Sequence, residues 1–95
     1  MESLTVQNNT ELEQFELQSG EYTAVLLYEM MEGYIILKST EVPRELEGKG
    51  IGGSLAKAGL EYARASGLKV VAWCPFVQSY LERHPEYQDL LGEEK

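Results

Sequence analysis

This chain of 95 residues has one cysteine, Cys74, and one histidine, His84. A lone thiol cannot close an internal disulfide, so a reducing, cytoplasmic setting is expected. One Cys and one His do not supply the usual ligands of a zinc centre, and no metal site is expected. Long apolar runs are missing too. No stretch approaches the roughly 18 apolar residues of a membrane span, and Met1-Glu2-Ser3-Leu4-Thr5 lacks the basic and apolar regions of a signal peptide. Basic residues are scarce, with 8 Lys and Arg against 16 Asp and Glu and a net charge of −8. So acidic a body argues against nucleic acid as a partner, because duplex binding rests on clustered Lys and Arg at the phosphates.

What remains is an ordinary globular composition, 43% apolar and 25% charged, at a length that suits one domain spanning residues 1–95. The charge is uneven. Residues 1–42 carry eight acids against Lys38 alone, whereas residues 43–69 carry Arg44, Lys49, Lys57, Arg64 and Lys69 against three acids. This basic island surrounds the most distinctive stretch of the chain.

That stretch is Gly48-Lys49-Gly50-Ile51-Gly52-Gly53, four glycines in six residues. Upstream, Tyr34 to Val42 reads as a strand that Pro43 ends by withholding an N–H from the ladder. Downstream, Ile51 to Ser66 changes to helical period, with Ile51, Leu55, Ala58, Gly59 and Tyr62 on one face. Glycines at a strand-to-helix turn tolerate positive φ and let backbone N–H groups approach a ligand, and the start of a helix favours an anion. The expected ligand is a phosphate or pyrophosphate.

The chain before the turn is rich in strand patterns. Leu4-Thr5-Val6 is a short strand, with Asn8-Asn9 as the tight turn after it. Glu13 to Gln18 alternates with period two, and Tyr22 to Tyr28 is β-branched and aromatic. Links this short allow only antiparallel neighbours. After the helix, Gly67 caps and Leu68 to Trp73 reads as a buried strand, with Trp73 expected in the core. Cys74-Pro75 opens a short helix with Phe76, Val77, Tyr80 and Leu81 on one face, stopped by Pro85, and a tail is expected from about Glu86. The expected fold is therefore mixed α+β: an antiparallel meander, one right-handed β-α-β crossover, and a C-terminal helix.

Two phosphate-binding motifs fail on context. Gly48-x-Gly50-x-x-Gly53 satisfies the dinucleotide fingerprint, but several strands precede it and Trp73-Cys74 stands where the ribose-binding acid belongs. A nucleotide-hydrolase loop needs Gly-Lys-Ser/Thr, and Lys49 is followed by Gly50.

The order of motifs resembles the GCN5-related N-acetyltransferases, and in particular a short, single-domain subfamily. The resemblance is carried by Glu41-Val42-Pro43, Glu47-Gly48-Lys49-Gly50-Ile51-Gly52, Ala63-Arg64 with Gly67-Leu68-Lys69-Val70, Cys74-Pro75-Phe76-Val77 and His84-Pro85-Glu86-Tyr87, across residues 34–91. It implies an acetyl-CoA dependent N-acetyltransferase in which acetyl-CoA wedges between the strands ending at Val42 and Trp73. Val42 would pair with pantetheine, and the backbone of Gly48, Lys49, Gly50, Ile51, Gly52 and Gly53 would hold the pyrophosphate. Two departures stand out: an acid, Glu47, where the larger family prefers Gln or Arg, and no helices after the first strand to wall the acceptor site.

Three side chains could serve the transfer. Cys74 stands at a helix start, where the dipole favours a thiolate that could carry the acetyl group, or it lines the thioester site as a small hydrophobe. Tyr80 lies near the position where the larger family places a tyrosine that protonates the departing thiolate, and a core aromatic is the alternative. His84 has the intrinsic pKa of a base, or is structural before Pro85. The acceptor amine is open: a small amine, a polyamine or a protein lysine, with the acidic meander suited to a cation. A CoA-binding module without catalysis and a small interaction domain are the competing readings.

Overall fold

The computed structural model describes residues 5–92. Strands β1 (Val6–Asn9), β2 (Gln14–Ser19), β3 (Tyr22–Met31) and β4 (Tyr34–Glu41) form the expected antiparallel meander. Helix α1 (Ile51–Ser66) then crosses over, and β5 (Lys69–Ala72) joins β4 in parallel to complete a five-stranded sheet in sequential order. Helix α2 (Pro75–Arg83) and a 3-10 segment (Pro85–Leu90) follow.

Alternation along the strands sends Phe15, Leu17, Ala24, Leu26, Tyr28, Ile35 and Leu37 to one face. The helical period of α1 buries Ile51, Leu55, Ala56, Gly59, Leu60 and Ala63 against them. Gly59 sets the depth of that contact, since a Cβ there would meet Leu26 at 3.3 Å and Leu37 at 3.4 Å. Gly67 ends α1 at φ 70°, and the Leu68 N–H reaches back to the Ala63 carbonyl at 2.8 Å in a Schellman cap. Every core side chain of α1, α2 and the 3-10 segment joins this single cluster. The opposite sheet face, which carries Glu16, Val25, Leu27, Ile36 and Val71, is free of helix among the described residues.

Four expectations are corrected. Asn8 and Asn9 close β1 instead of making a turn, because their side chains are used elsewhere. Asn8 Oδ1 accepts from the Tyr28 hydroxyl at 2.7 Å, and Asn9 Oδ1 accepts from the Leu12 N–H at 3.1 Å within the following turn. Trp73 is 48% exposed, not core: Ala72 packs on the cluster and Cys74 is buried within it, so the residue between them leaves on the helix-free side. Phe76 is likewise 39% exposed, at the first turn of α2. The expected tail is a packed 3-10 segment, because Tyr87 and Leu90 are buried in the core. Leu4, expected to open the first strand, lies outside the described residues, as do positions 93–95.

Candidate active site

Strands β4 and β5 part company at Leu37. Ala72 is the last β5 residue in register with it, and the Leu37 carbonyl accepts from both the Trp73 N–H at 2.9 Å and the Cys74 N–H at 3.1 Å. Pro75 then turns the chain into α2. Strand β4 runs on, held by β3 alone. Leu27 pairs with Ser39 and Tyr28 with Leu37, so Lys38 is an extra residue opposite neither, a β-bulge at the parting point. From Lys38 to Glu41 one edge of β4 faces a gap with no strand beside it among the described residues. Thr40 and Cys74 bridge the base of that gap, Oγ1 to Sγ at 3.2 Å, and Cys74 is only 3% exposed.

Beyond Pro43, a 3-10 turn (Arg44–Leu46) buries Leu46 and brings the chain to the glycine run. Gly48 at φ 82° and Gly50 at φ 75° occupy the left-handed region, which a side chain there would strain. Gly50 is the N-cap of α1, and no side chain caps the helix. The first intrahelical bond is from the Ser54 N–H to the Gly50 carbonyl at 3.1 Å, leaving the N–H groups of Ile51, Gly52 and Gly53 without helical acceptors. They open on a cleft of about 390 Å³ lined by Thr40, Val42, Leu46, Glu47, Gly48, Phe76 and residues 50–53. Strand edge and helix start thus border one space. Among the described residues Glu47 is the one carboxylate on its rim.

The two helical glycines have a different reason from the two left-handed ones. A Cβ on Gly52 would lie 2.9 Å from the Phe76 ring, and one on Gly53 would lie 3.6 Å from Tyr80. Their bareness lets the first turns of α1 and α2 close against each other. Phe76 thereby forms a wall of the cleft.

The residues singled out from sequence are only partly brought together. Val42 and the glycine run line the cleft, with Ile51 buried so that it offers backbone only, and Lys49 is exposed on the turn. Cys74 sits beneath it through Thr40. Tyr80 is buried against the first turn of α1, and burial, aided by the nearby Glu86 and Glu61 carboxylates, raises its phenol pKa, so it is a protonated donor at neutral pH. His84 faces elsewhere. Its ring stacks on Tyr80 at 3.8 Å, Nδ1 lies 2.8 Å from the Tyr80 carbonyl, and both residues line a hollow separate from the cleft, with Lys57, Glu61 and Glu86. The basic island also divides: Arg64 pairs with Asp89 at 3.1 Å and Lys69 Nζ donates to the Asp89 carbonyl at 2.9 Å, both at the far end of α1. Thr40 and Phe76 were not foreseen. The β4 bulge that turns Thr40 toward Cys74 leaves no mark in the strand's composition.

Residues 14–90 match the family described as GCN5-related N-acetyl-transferase. Among curated proteins, Protein NATD1 of Gallus gallus is 41% identical over 63 residues, which cover 65% of this chain and 57% of that protein. Protein NATD1 of Xenopus tropicalis is 34% identical over 87% of this chain and 79% of its own length. The chain thus spans somewhat over half the length of the chicken relative. A solution structure from Staphylococcus aureus, described as a GCN5-like candidate N-acetyltransferase, superposes with a TM-score of 0.73 at 31% identity, covering 100% of this chain and 94% of that one. No helix among the described residues is long and apolar enough to cross a membrane.

Proposed function

This chain belongs to the GCN5-related N-acetyltransferase family, and on that premise we propose that it binds acetyl-CoA in the cleft and transfers the acetyl group to an amine. One observation carries the reading: an uncapped helix start and an unpaired strand edge border the same 390 Å³ space. The free N–H groups of Ile51, Gly52 and Gly53 suit a pyrophosphate, the helix dipole favours its charge, and Val42 and Phe76 offer apolar walls to an alkyl chain. Acetyl-CoA supplies an activated acetyl thioester there. The C–N bond forms as the C–S bond breaks, and the proton lost by the amine balances the one gained by the departing sulfur.

The chain's own groups then have distinct tasks. Tyr80 lines the neighbouring hollow and meets the cleft only beside Gly53, and from that border its protonated hydroxyl is the group we assign to the departing sulfur. Cys74, at 3% exposure and hydrogen-bonded to Thr40, shapes the floor of the gap, which favours direct attack by the amine over an acetyl-cysteine intermediate. His84 steadies Tyr80 by stacking instead of reaching the cleft. A lone free thiol suits action in a reducing compartment such as the cytoplasm.

Calorimetry with CoA tests the site. Gly50→Val forces a β-branched residue into the left-handed region at the helix cap, and CoA affinity should fall by about 5- to 150-fold if the turn relaxes away from the strain of about 1–3 kcal/mol. Equal affinity in the variant would remove the glycine turn from the site. Intact mass after incubation with acetyl-CoA should show no protein-bound acetyl group, and a stoichiometric adduct lost in Cys74→Ala would restore the covalent route.

A further inference from the structure

On the far side of the β4 edge lies a second hollow, about 470 Å³, lined by Thr23, Val25, Thr40, Glu41, Val42 and Pro43. It shares Thr40 and Val42 with the first cleft, so the two spaces meet across the end of one strand. Register places Glu41 directly opposite Val25 on β3, and Val25 opposite Glu16 on β2, all on the helix-free face. Glu41 is exposed, and its carboxylate has no hydrogen-bond or ion-pair partner among the described residues. The cations of that face are already engaged: Lys38 with Glu29 at 3.7 Å, and Lys69 with the Asp89 carbonyl. Arg44 begins the next turn and does not line the hollow.

We propose that this hollow is the acceptor site and that it takes a short linear aliphatic diamine, with the distal ammonium at Glu41 and the proximal nitrogen at the gap. The inference rests on the acetyl-transfer reading above. The attacking nitrogen arrives as an ammonium and must shed its proton before it attacks, so a carboxylate that keeps its cation through the reaction holds a second nitrogen and not the reacting one. A carboxylate at the acceptor side therefore calls for a second, charged nitrogen on the same molecule. Val25 and Val42 offer apolar contacts to the methylene chain in a hollow otherwise lined by Thr23, Thr40, Glu41 and Pro43, and its size suits a short chain. Residues 1–42, with eight acids against one Lys, add a field that draws cations to this face.

The test uses the full chain, acetyl-CoA and three amines: 1,4-diaminobutane, butylamine, and an end-blocked tetrapeptide containing one lysine. The diamine should be the best substrate, with butylamine lower in kcat/KM by about fivefold, the scale of one exposed ion pair. Glu41→Gln should raise KM for the diamine by about the same factor with little change in kcat, erasing its advantage over butylamine. CoA affinity, measured separately by calorimetry, should be unchanged, since Glu41 does not line the first cleft. Equal use of diamine and butylamine, an unchanged KM in Glu41→Gln, or a preference for the lysine peptide would each overturn the assignment. So would tight CoA binding with no turnover of the diamine, whereas failure to bind CoA at all would strike the acetyl-transfer reading first.

Discussion

Gly52 shows how one absent carbon shapes the site. Its backbone is ordinary helix, so conformational freedom does not require glycine there, unlike Gly48 and Gly50. What requires it is Phe76, whose ring occupies the place of the missing Cβ at 2.9 Å. Gly52→Ala should therefore swing the 39% exposed Phe76 ring off α1, costing about 1 kcal/mol, the low end of overpacking strain, and weakening CoA through a deformed wall. The companion variant Phe76→Leu should recover most of the lost melting temperature, because its target is the clash and not the backbone. Gly50→Ala offers the contrast, with open space around its Cβ and strain confined to φ, so Phe76→Leu should not rescue it. If both glycine variants respond alike to the second substitution, the distinction between them is wrong.

At the scale of elements, the last 3-10 segment is held by a compact set of contacts. Arg64 on α1 donates to both carboxylate oxygens of Asp89, at 3.1 and 3.2 Å, and to the Glu86 carbonyl at 2.7 Å, while its guanidinium lies 5.7 Å from the centre of the Tyr87 ring. Tyr87 in turn donates its hydroxyl to Glu61. That bond to a carboxylate, with burial second, pushes the Tyr87 pKa up to about 12. A phenol whose pKa rises on folding stabilises the fold fully below its ordinary value near 10, and that contribution is lost as pH climbs toward about 12. Tyr87→Phe should cost about 1 kcal/mol at neutral pH, and the gap between variant and wild type should close over that alkaline window. Denaturant titrations at a series of pH values would show it, and a gap that stays constant would dissociate the bond from the stability. The sequence could not reveal this element. Six residues opened by a proline show neither a period of two nor one of 3.6, whereas β2 and α1 declare themselves through such repeats in Phe15/Leu17 and Leu55/Gly59/Tyr62. The glycine turn was legible for the same reason, its spacing being local. The gap at Leu37, the Thr40–Cys74 bridge and the exposure of Trp73 were not, because each depends on where β5 stops relative to its neighbour.

For the whole molecule, charge decides how a polyanion reaches the cleft. The net charge of −8 repels it, and only the cations near the glycine turn oppose that repulsion. Arg44 and Lys49 flank the turn, but Arg64 follows Ile51 by 13 positions along α1, about 20 Å at 1.5 Å per residue. That exceeds the Debye length of about 8 Å at physiological salt, and Arg64 and Lys69 are in any case bound to the 3-10 segment. Glu45 and Glu47 offset Arg44 and Lys49 by count at that range, so the free N–H groups of the helix start tip the local field toward attraction, and raising salt from about 0.05 to about 0.5 M should weaken CoA binding. The slope should shrink in Lys49→Gln and stay unchanged in Lys69→Gln. Dephospho-CoA, with less charge, should show the shallower dependence of the two ligands. Calorimetry across the salt series reads all three effects, and an affinity that rises with salt would mean that the acidic body, and not the turn, governs the encounter.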